Sequence, residues 1–87
     1  MHAVELLDLA IAAVKKLGYR VRVEVLDGDT AAGVCEFGGR RWLFLDGTQG
    51  PLEQLHQVLE VLRAAAQTGR LQLAEPLERL VHPRRAA

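Results

Sequence analysis

The chain of 87 residues contains no serine and no asparagine, and it has a single cysteine, Cys35. The absence of serine excludes a Ser-His-Asp hydrolase. One thiol excludes an intrachain disulfide and a zinc site built from the cysteines of one chain. The lack of asparagine, with one methionine and one cysteine, is compatible with a heat-adapted source, although a GC-rich codon bias produces a similar composition.

An excess of charge of one sign is also missing. Eleven basic residues balance eleven acidic ones, whereas a dedicated nucleic-acid-binding domain usually carries a basic excess. Apolar runs fall well short of the ~20 residues that span a bilayer. The N-terminal stretch carries Glu5 and Asp8 and lacks the early basic cluster of a secretory signal. We therefore expect a cytoplasmic protein that does not enter the membrane.

The first third of the chain predicts a helix followed by a strand. Apolar residues recur at three- and four-residue spacing over residues 3–17, and Gly18 follows as a helix stop. The next stretch, Tyr19–Leu26, alternates apolar and polar residues, which is typical of a strand with one buried face and one wet face. Asp27-Gly28-Asp29 then predicts a turn, because aspartate and glycine favour turn conformations. The segment has too few ligand positions for an EF-hand calcium loop.

A β-hairpin is predicted from Gly33 to Asp46, closed by Gly38-Gly39 as a two-residue loop. This register sets Glu36 opposite Arg41, an ion pair worth roughly a few tenths of a kcal/mol. It also pairs Phe37 with Arg40, Cys35 with Trp42 and Val34 with Leu43. The second arm contains the run WLFL, which is apolar on both faces, and a chain this short has few elements with which to cover both.

The last part of the chain predicts a second long helix and a short third one. Gly50 is the expected N-cap, Pro51 occupies the first helical position, and Gly69 ends the helix. Pro76 opens a short helix over residues 77–81.

The predicted fold is therefore a single α+β domain over residues 1–83, followed by a frayed tail at residues 84–87. Its elements are a helix, a three-stranded antiparallel meander, a second helix and a short C-terminal helix. Both long helices are expected on one face of the sheet.

Candidate catalytic groups are few. A small enzyme could use Cys35, Asp46 and His56 if the fold gathered them in one groove. Each has a simpler interpretation, since Cys35 can pack against Trp42 and an Asp-Gly pair at position 46 is turn chemistry. His56 and Glu60 offer two metal ligands, whereas catalytic zinc usually takes three. We therefore predict no catalytic, cofactor-binding or metal-binding residues and no small-molecule ligand.

Four strand arginines support a second alternative, weak nucleic-acid binding through a basic patch on the sheet. They are Arg20, Arg22, Arg40 and Arg41. Glu24 and Glu36 interrupt this patch and reduce its positive potential.

The apolar side chains of the hairpin are the strongest functional signal. One face collects Cys35 with three aromatic residues, and the other face collects aliphatic residues. The candidate interface comprises Phe37, Trp42, Phe44, Val34, Leu43 and Leu45. Because a contiguous apolar patch on a small domain marks an interface, we expect a non-catalytic protein that acts through protein–protein interaction or self-association, with a homodimer as the commonest form.

From Leu17 to Leu62 the chain resembles a group of short bacterial proteins without an assigned function. The shared pattern comprises Leu17-Gly18, Gly33-Val34-Cys35, Leu43-Phe44-Leu45-Asp46 and Pro51-Leu52-Glu53-Gln54. The same order is similar to the front half of ImmA/IrrE-type zinc peptidases, in which the following helix carries an HExxH motif. By spacing, the two histidines of that motif fall on Glu60 and Ala64 and its glutamate falls on Val61. The resemblance therefore implies a metal-free relative, and no functional residue carries over.

Overall fold

The structure is a computed structural model that describes residues 2–25, 33–69 and 72–82. Its elements, in chain order, are α1 (Ala3–Lys16), β1 (Arg20–Glu24), β2 (Gly33–Phe37), β3 (Arg40–Asp46), α2 (Pro51–Thr68) and α3 (Glu75–Val81). The predicted α+β class is confirmed, with three helices and one three-stranded sheet. The predicted turn at residues 27–29 and the predicted tail at residues 84–87 lie outside the described residues.

Local signals place the helix ends close to where the sequence predicts them. Gly18 follows α1 with a φ of +98°, a left-handed conformation that favours glycine. Gly50 is the N-cap of α2 and Pro51 its first residue. The third helix begins at Glu75, ahead of Pro76, because proline is tolerated anywhere in the first helical turn, where the backbone N–H has no intrahelical partner.

The sheet is mixed, and the predicted antiparallel meander is wrong. The strand order is β1-β3-β2, with β1 parallel to β3 and β2 antiparallel to β3. A meander would place β2 in the centre. The observed order gives the central position to β3, the longest strand and the one that is apolar on both faces. Charge-rich β1 and glycine-containing β2 occupy the edges, where a strand needs only one hydrogen-bonded neighbour.

The hairpin register is confirmed, including Cys35 opposite Trp42 and Glu36 opposite Arg41. The predicted ion pair does not form, because no salt bridge joins Glu36 and Arg41 in the described part of the chain. The guanidinium of Arg41 lies 4.8 Å from the ring centroid of Tyr19. The Arg41 Nη1 atom also donates to the Tyr19 hydroxyl at 3.5 Å.

The core lies on one side of the sheet. Leu43 and Leu45 of β3 are 1% and 0% exposed, and they pack against α1 and α2. The helices supply the other core residues: Leu7, Ala10, Val14, Leu55, Val58, Leu59, Leu62, Leu77 and Val81. The two long helices therefore cover one face of the sheet, and the opposite face has no described helix over it.

Candidate functional site

The uncovered side of the sheet carries aromatic and arginine side chains, and we call it the open face. Strand alternation and the register assign its members, since directly paired residues point to the same side of a sheet. The open face comprises Arg20, Arg22 and Glu24 on β1, Arg40, Trp42, Phe44 and Asp46 on β3, and Cys35 and Phe37 on β2.

Two stacked rings form the centre of the open face. The rings of Trp42 and Phe44 have centroids 6.0 Å apart and planes inclined by 12°. The guanidinium carbon of Arg20 lies 5.7 Å from the Trp42 centroid, within the range of a cation–π contact. A shallow depression of about 310 Å³ lies over these rings, and its wall includes Arg22, Cys35 and Phe37.

The indole of Trp42 is held by packing alone. Its Nε1 atom is enclosed, and no hydrogen-bond acceptor for it occurs among residues 2–25, 33–69 and 72–82. A buried indole N–H usually finds a partner, and leaving one unpaired costs about 1–3 kcal/mol. The position of this ring therefore depends on its contacts with Phe44 and Arg20.

Charge is distributed unevenly along the open face. Arg20 and Arg40 stand at the starts of β1 and β3, whereas Glu24 and Asp46 stand at their ends. Because β1 and β3 are parallel, with Glu24 paired to Asp46, the first residues of both strands lie at one end of the sheet and the last residues lie at the other end. The open face thus has a basic end, an aromatic centre and an acidic end.

A salt bridge within β1 lies on the same face. The Nε atom of Arg22 is 2.9 Å from Oε1 of Glu24, and both side chains remain substantially exposed. A pair in this setting contributes little to stability, with a median of about 0–1 kcal/mol. Both groups therefore remain available to other charges.

The structure divides the candidate interface between the two sides of the sheet. Phe37, Trp42 and Phe44 belong to the open face, and Phe37 is 75% exposed. Leu43 and Leu45 are buried in the core beneath the helices, so the prediction that they belong to an interface is wrong. Val34 is 48% exposed but lies on the helix-covered side, opposite Leu43.

The three candidate catalytic residues are not gathered in one groove. Cys35 is exposed on the open face, whereas exposed His56 belongs to α2, which packs against the opposite face. The Oδ1 atom of Asp46 accepts from the backbone N–H of Thr48 at 2.9 Å and from its hydroxyl at 2.7 Å. Asp46 therefore shapes the turn between β3 and α2.

The four arginines likewise fall on different sides. Arg20, Arg22 and Arg40 share the open face, while Arg41 lies against Tyr19 on the helix-covered side. The predicted single basic patch is therefore split. In the described part of the chain, no group of three or more His, Cys, Asp or Glu side chains could hold a metal ion. Nor is any helix there long and apolar enough to cross a membrane.

Sequence reasoning missed a clamp made by Gln54. Its Nε2 atom donates to the backbone oxygen of Asp46 at 3.0 Å and to that of Gln49 at 3.1 Å. This side chain ties the end of β3 to the first turn of α2. The available signal was a glutamine just after Gly50-Pro51, at a helix start where an amide can reach backward to the preceding loop.

Comparison with protein-family models, with curated proteins and with solved structures finds no match to the chain. The resemblance to the front half of ImmA/IrrE-type zinc peptidases therefore stays a prediction. Function has to be argued from the open face itself.

Proposed function

We propose that this domain is a non-catalytic self-association module that buries the open face of its sheet against another protein chain. The observation that carries the proposal is the pair of stacked rings, Trp42 and Phe44, beside 75%-exposed Phe37 on a face that none of the described helices covers. Contiguous aromatic side chains of this kind are typical of interfaces between proteins.

The available energy indicates a weak or moderate association. Burying one large apolar side chain contributes about 1.5–3 kcal/mol. A dimer buries three aromatic residues from each copy, which gives an upper limit of roughly 9–18 kcal/mol, and the gain is smaller because Trp42 and Phe44 are already partly buried in the monomer. The costs of association are an estimated 4–15 kcal/mol. The surplus is small, so we expect a dissociation constant in the micromolar range or above, with the aliphatic stems of the arginines and the thiol of Cys35 adding contact area.

The charge of the open face favours a protein over a nucleic acid. Arg20, Arg22 and Arg40 share this face with Glu24 and Asp46. Arg22 is already paired with Glu24 at 2.9 Å, so the basic excess that attracts phosphates is small. Arg20 lies 5.7 Å from the Trp42 centroid and competes with a base for that ring.

Sedimentation velocity from about 1 µM to about 1 mM tests this proposal. We expect a monomer–dimer equilibrium for the wild-type chain and a shift towards monomer for Phe37→Thr, which removes the ring and keeps a strand-forming residue. Leu52→Gln is the matched control, because Leu52 is a large exposed apolar residue on α2. A wild-type chain that stays monomeric throughout contradicts self-association, and a salt-sensitive gel shift on generic RNA would favour the nucleic-acid alternative.

A further inference from the structure

We propose that two copies of this chain pack open face to open face, with the strands of one copy running antiparallel to those of the other. In this arrangement the basic end of one copy lies over the acidic end of the other. The inference rests on the proposed function, because it specifies how the same surface self-associates.

The charge gradient along the open face is the observation that selects this arrangement. Arg20 begins β1 and Glu24 ends it, on the same face. Four residues of extended strand separate their Cα atoms by roughly 13 Å. These two charges therefore lie at opposite ends of the face.

When the open faces of two copies pack against each other with aligned strands, two arrangements have two-fold symmetry. If the two-fold axis is parallel to the strands, the basic ends of the two copies meet, and Arg40 of one copy lies over Arg40 of the other. If the axis is perpendicular to the strands and parallel to the sheet, the basic end of each copy meets the acidic end of the other. Each β1 then lies over the β1 of the second copy in the opposite direction, which brings Arg20 of each copy over Glu24 of the other when the axis passes level with Arg22. The two Arg22 side chains then meet near the axis, and each is already paired with its own Glu24 at 2.9 Å.

Electrostatics favour the second packing. Opposite charges attract and like charges repel, and enclosure between two sheets reduces the screening by water and salt. A two-fold axis also makes every such contact twice. The intrachain Arg22–Glu24 pair does not compete strongly, because both side chains are substantially exposed.

The same packing covers the aromatic centre. Sheets that pack face to face lie about 10 Å apart, with inward side chains interdigitating between them. Trp42 and Phe44 are on the central strand, which lies over the central strand of the second copy in either orientation. The aromatic residues therefore supply affinity, and the charges decide the orientation.

A charge swap within one chain tests the orientation by sedimentation equilibrium. We expect Arg20→Glu and Glu24→Arg each to raise the dimer dissociation constant by about tenfold or more, because each places like charges over one another twice. We expect the double variant R20E/E24R to return it to within about threefold of wild type, since both ends are then reversed together. Positions 20 and 24 are too far apart for the swap to restore a direct contact between them within one chain.

Three controls accompany the swap. Arg20→Gln separates charge reversal from loss of the contact with the Trp42 ring, and we expect a smaller effect than for Arg20→Glu. Glu60→Arg applies the same change of charge as Glu24→Arg on an exposed position of α2, on the helix-covered side, and should leave the dimer unchanged. The melting temperature of each variant shows that its monomer is folded.

The outcomes separate this inference from the proposed function. If the wild-type chain dimerises and Phe37→Thr weakens the dimer, but the single charge reversals do not, self-association stands and the antiparallel orientation is overturned. If the single reversals weaken the dimer and the double variant does not recover, the proposed pairing of the ends is overturned. A monomeric wild-type chain overturns both.

Discussion

Trp42 and Phe44 stack on the open side of the sheet, with ring centroids 6.0 Å apart, while Leu43 between them is 1% exposed on the other side. Strand alternation therefore places two different sets of β3 side chains on the two faces of the sheet. Its leucines complete the core beneath the helices, and its aromatic residues form a surface that no described helix covers. The division explains why a strand in such a small domain is apolar on both faces.

The two faces of the sheet should respond differently to truncation. We expect Leu45→Ala to lower the free energy of unfolding by about 3 kcal/mol, because it opens a cavity at a fully buried position. Phe37→Ala should lower it by less than about 0.5 kcal/mol when measured at low protein concentration, because Phe37 is largely exposed. Urea unfolding curves provide the measurement. Equal losses for the two variants would contradict the assignment of the faces.

The hairpin loop depends on left-handed backbone at Gly38 and Gly39, whose φ angles are +61° and +75°. We expect Gly38→Ala to destabilise the domain by about 1–2 kcal/mol, since the left-handed conformation is unfavourable for a residue with a Cβ atom. A Cβ at this position would meet no neighbouring atom within 4 Å, so the cost arises in the backbone alone.

Gly38→Asn is the matched variant for the loop, because asparagine is accepted at the first position of such turns. We expect it to lose less stability than Gly38→Ala in thermal unfolding. The opposite order would argue against a two-residue turn with positive φ at both positions.

Gln54 should contribute to stability through its two hydrogen bonds to the loop after β3. We expect Gln54→Leu to lower the free energy of unfolding by about 1–2 kcal/mol, because leucine keeps the volume and helix propensity but cannot donate. Gln67→Leu, at an exposed position of the same helix, is the control and should change little. Hydrogen exchange should also quicken at the loop between β3 and α2, and unchanged exchange there would contradict the clamp.

Cys35 offers a direct probe of the open face, because it is exposed and pairs with Trp42 across the ladder. We expect a thiol reagent to modify it readily in dilute protein and more slowly at concentrations that populate the dimer, since the second copy would cover the thiol. In the Phe37→Thr variant, which we expect to stay monomeric, the Cys35 thiol should react equally fast at the higher protein concentration. A rate that does not depend on concentration, measured across the range in which sedimentation shows a dimer, would place the contact elsewhere.

The parts of this fold that the sequence predicted well depend on neighbouring residues. Gly18 and Gly50-Pro51 mark helix ends through backbone preferences that act over a few residues. Gly38-Gly39 sets the hairpin register because a two-residue loop leaves only one way to pair its arms. Alternation along β1 correctly separated its apolar residues from its charged ones, but the predicted burial of the apolar side is wrong in part, because Val23 is 51% exposed.

The mistaken predictions concern contacts between residues far apart in the chain. The alternating pattern of β1 is the same whether its neighbour is β2 or β3, so it could not indicate a parallel pairing with β3. The predicted Glu36–Arg41 ion pair failed for the same reason. The ring of Tyr19, 22 positions away in the chain, competes with the cross-strand neighbour Glu36 for contact with Arg41. Local propensity carries no information about such a competition.

The sequence by itself determined the α+β class, the helix ends, the hairpin register and the presence of aromatic residues on one side of the hairpin. Only the tertiary structure decided which side the helices cover and that β1 lies parallel to β3. The parallel pairing places Arg20 beside the start of β3, where Arg40 lies, and Glu24 opposite Asp46, so that the charge gradients of the two strands run in the same direction. The physical reason is that strand order depends on giving β3 a hydrogen-bonded neighbour at each edge, and this depends on how the described elements pack together.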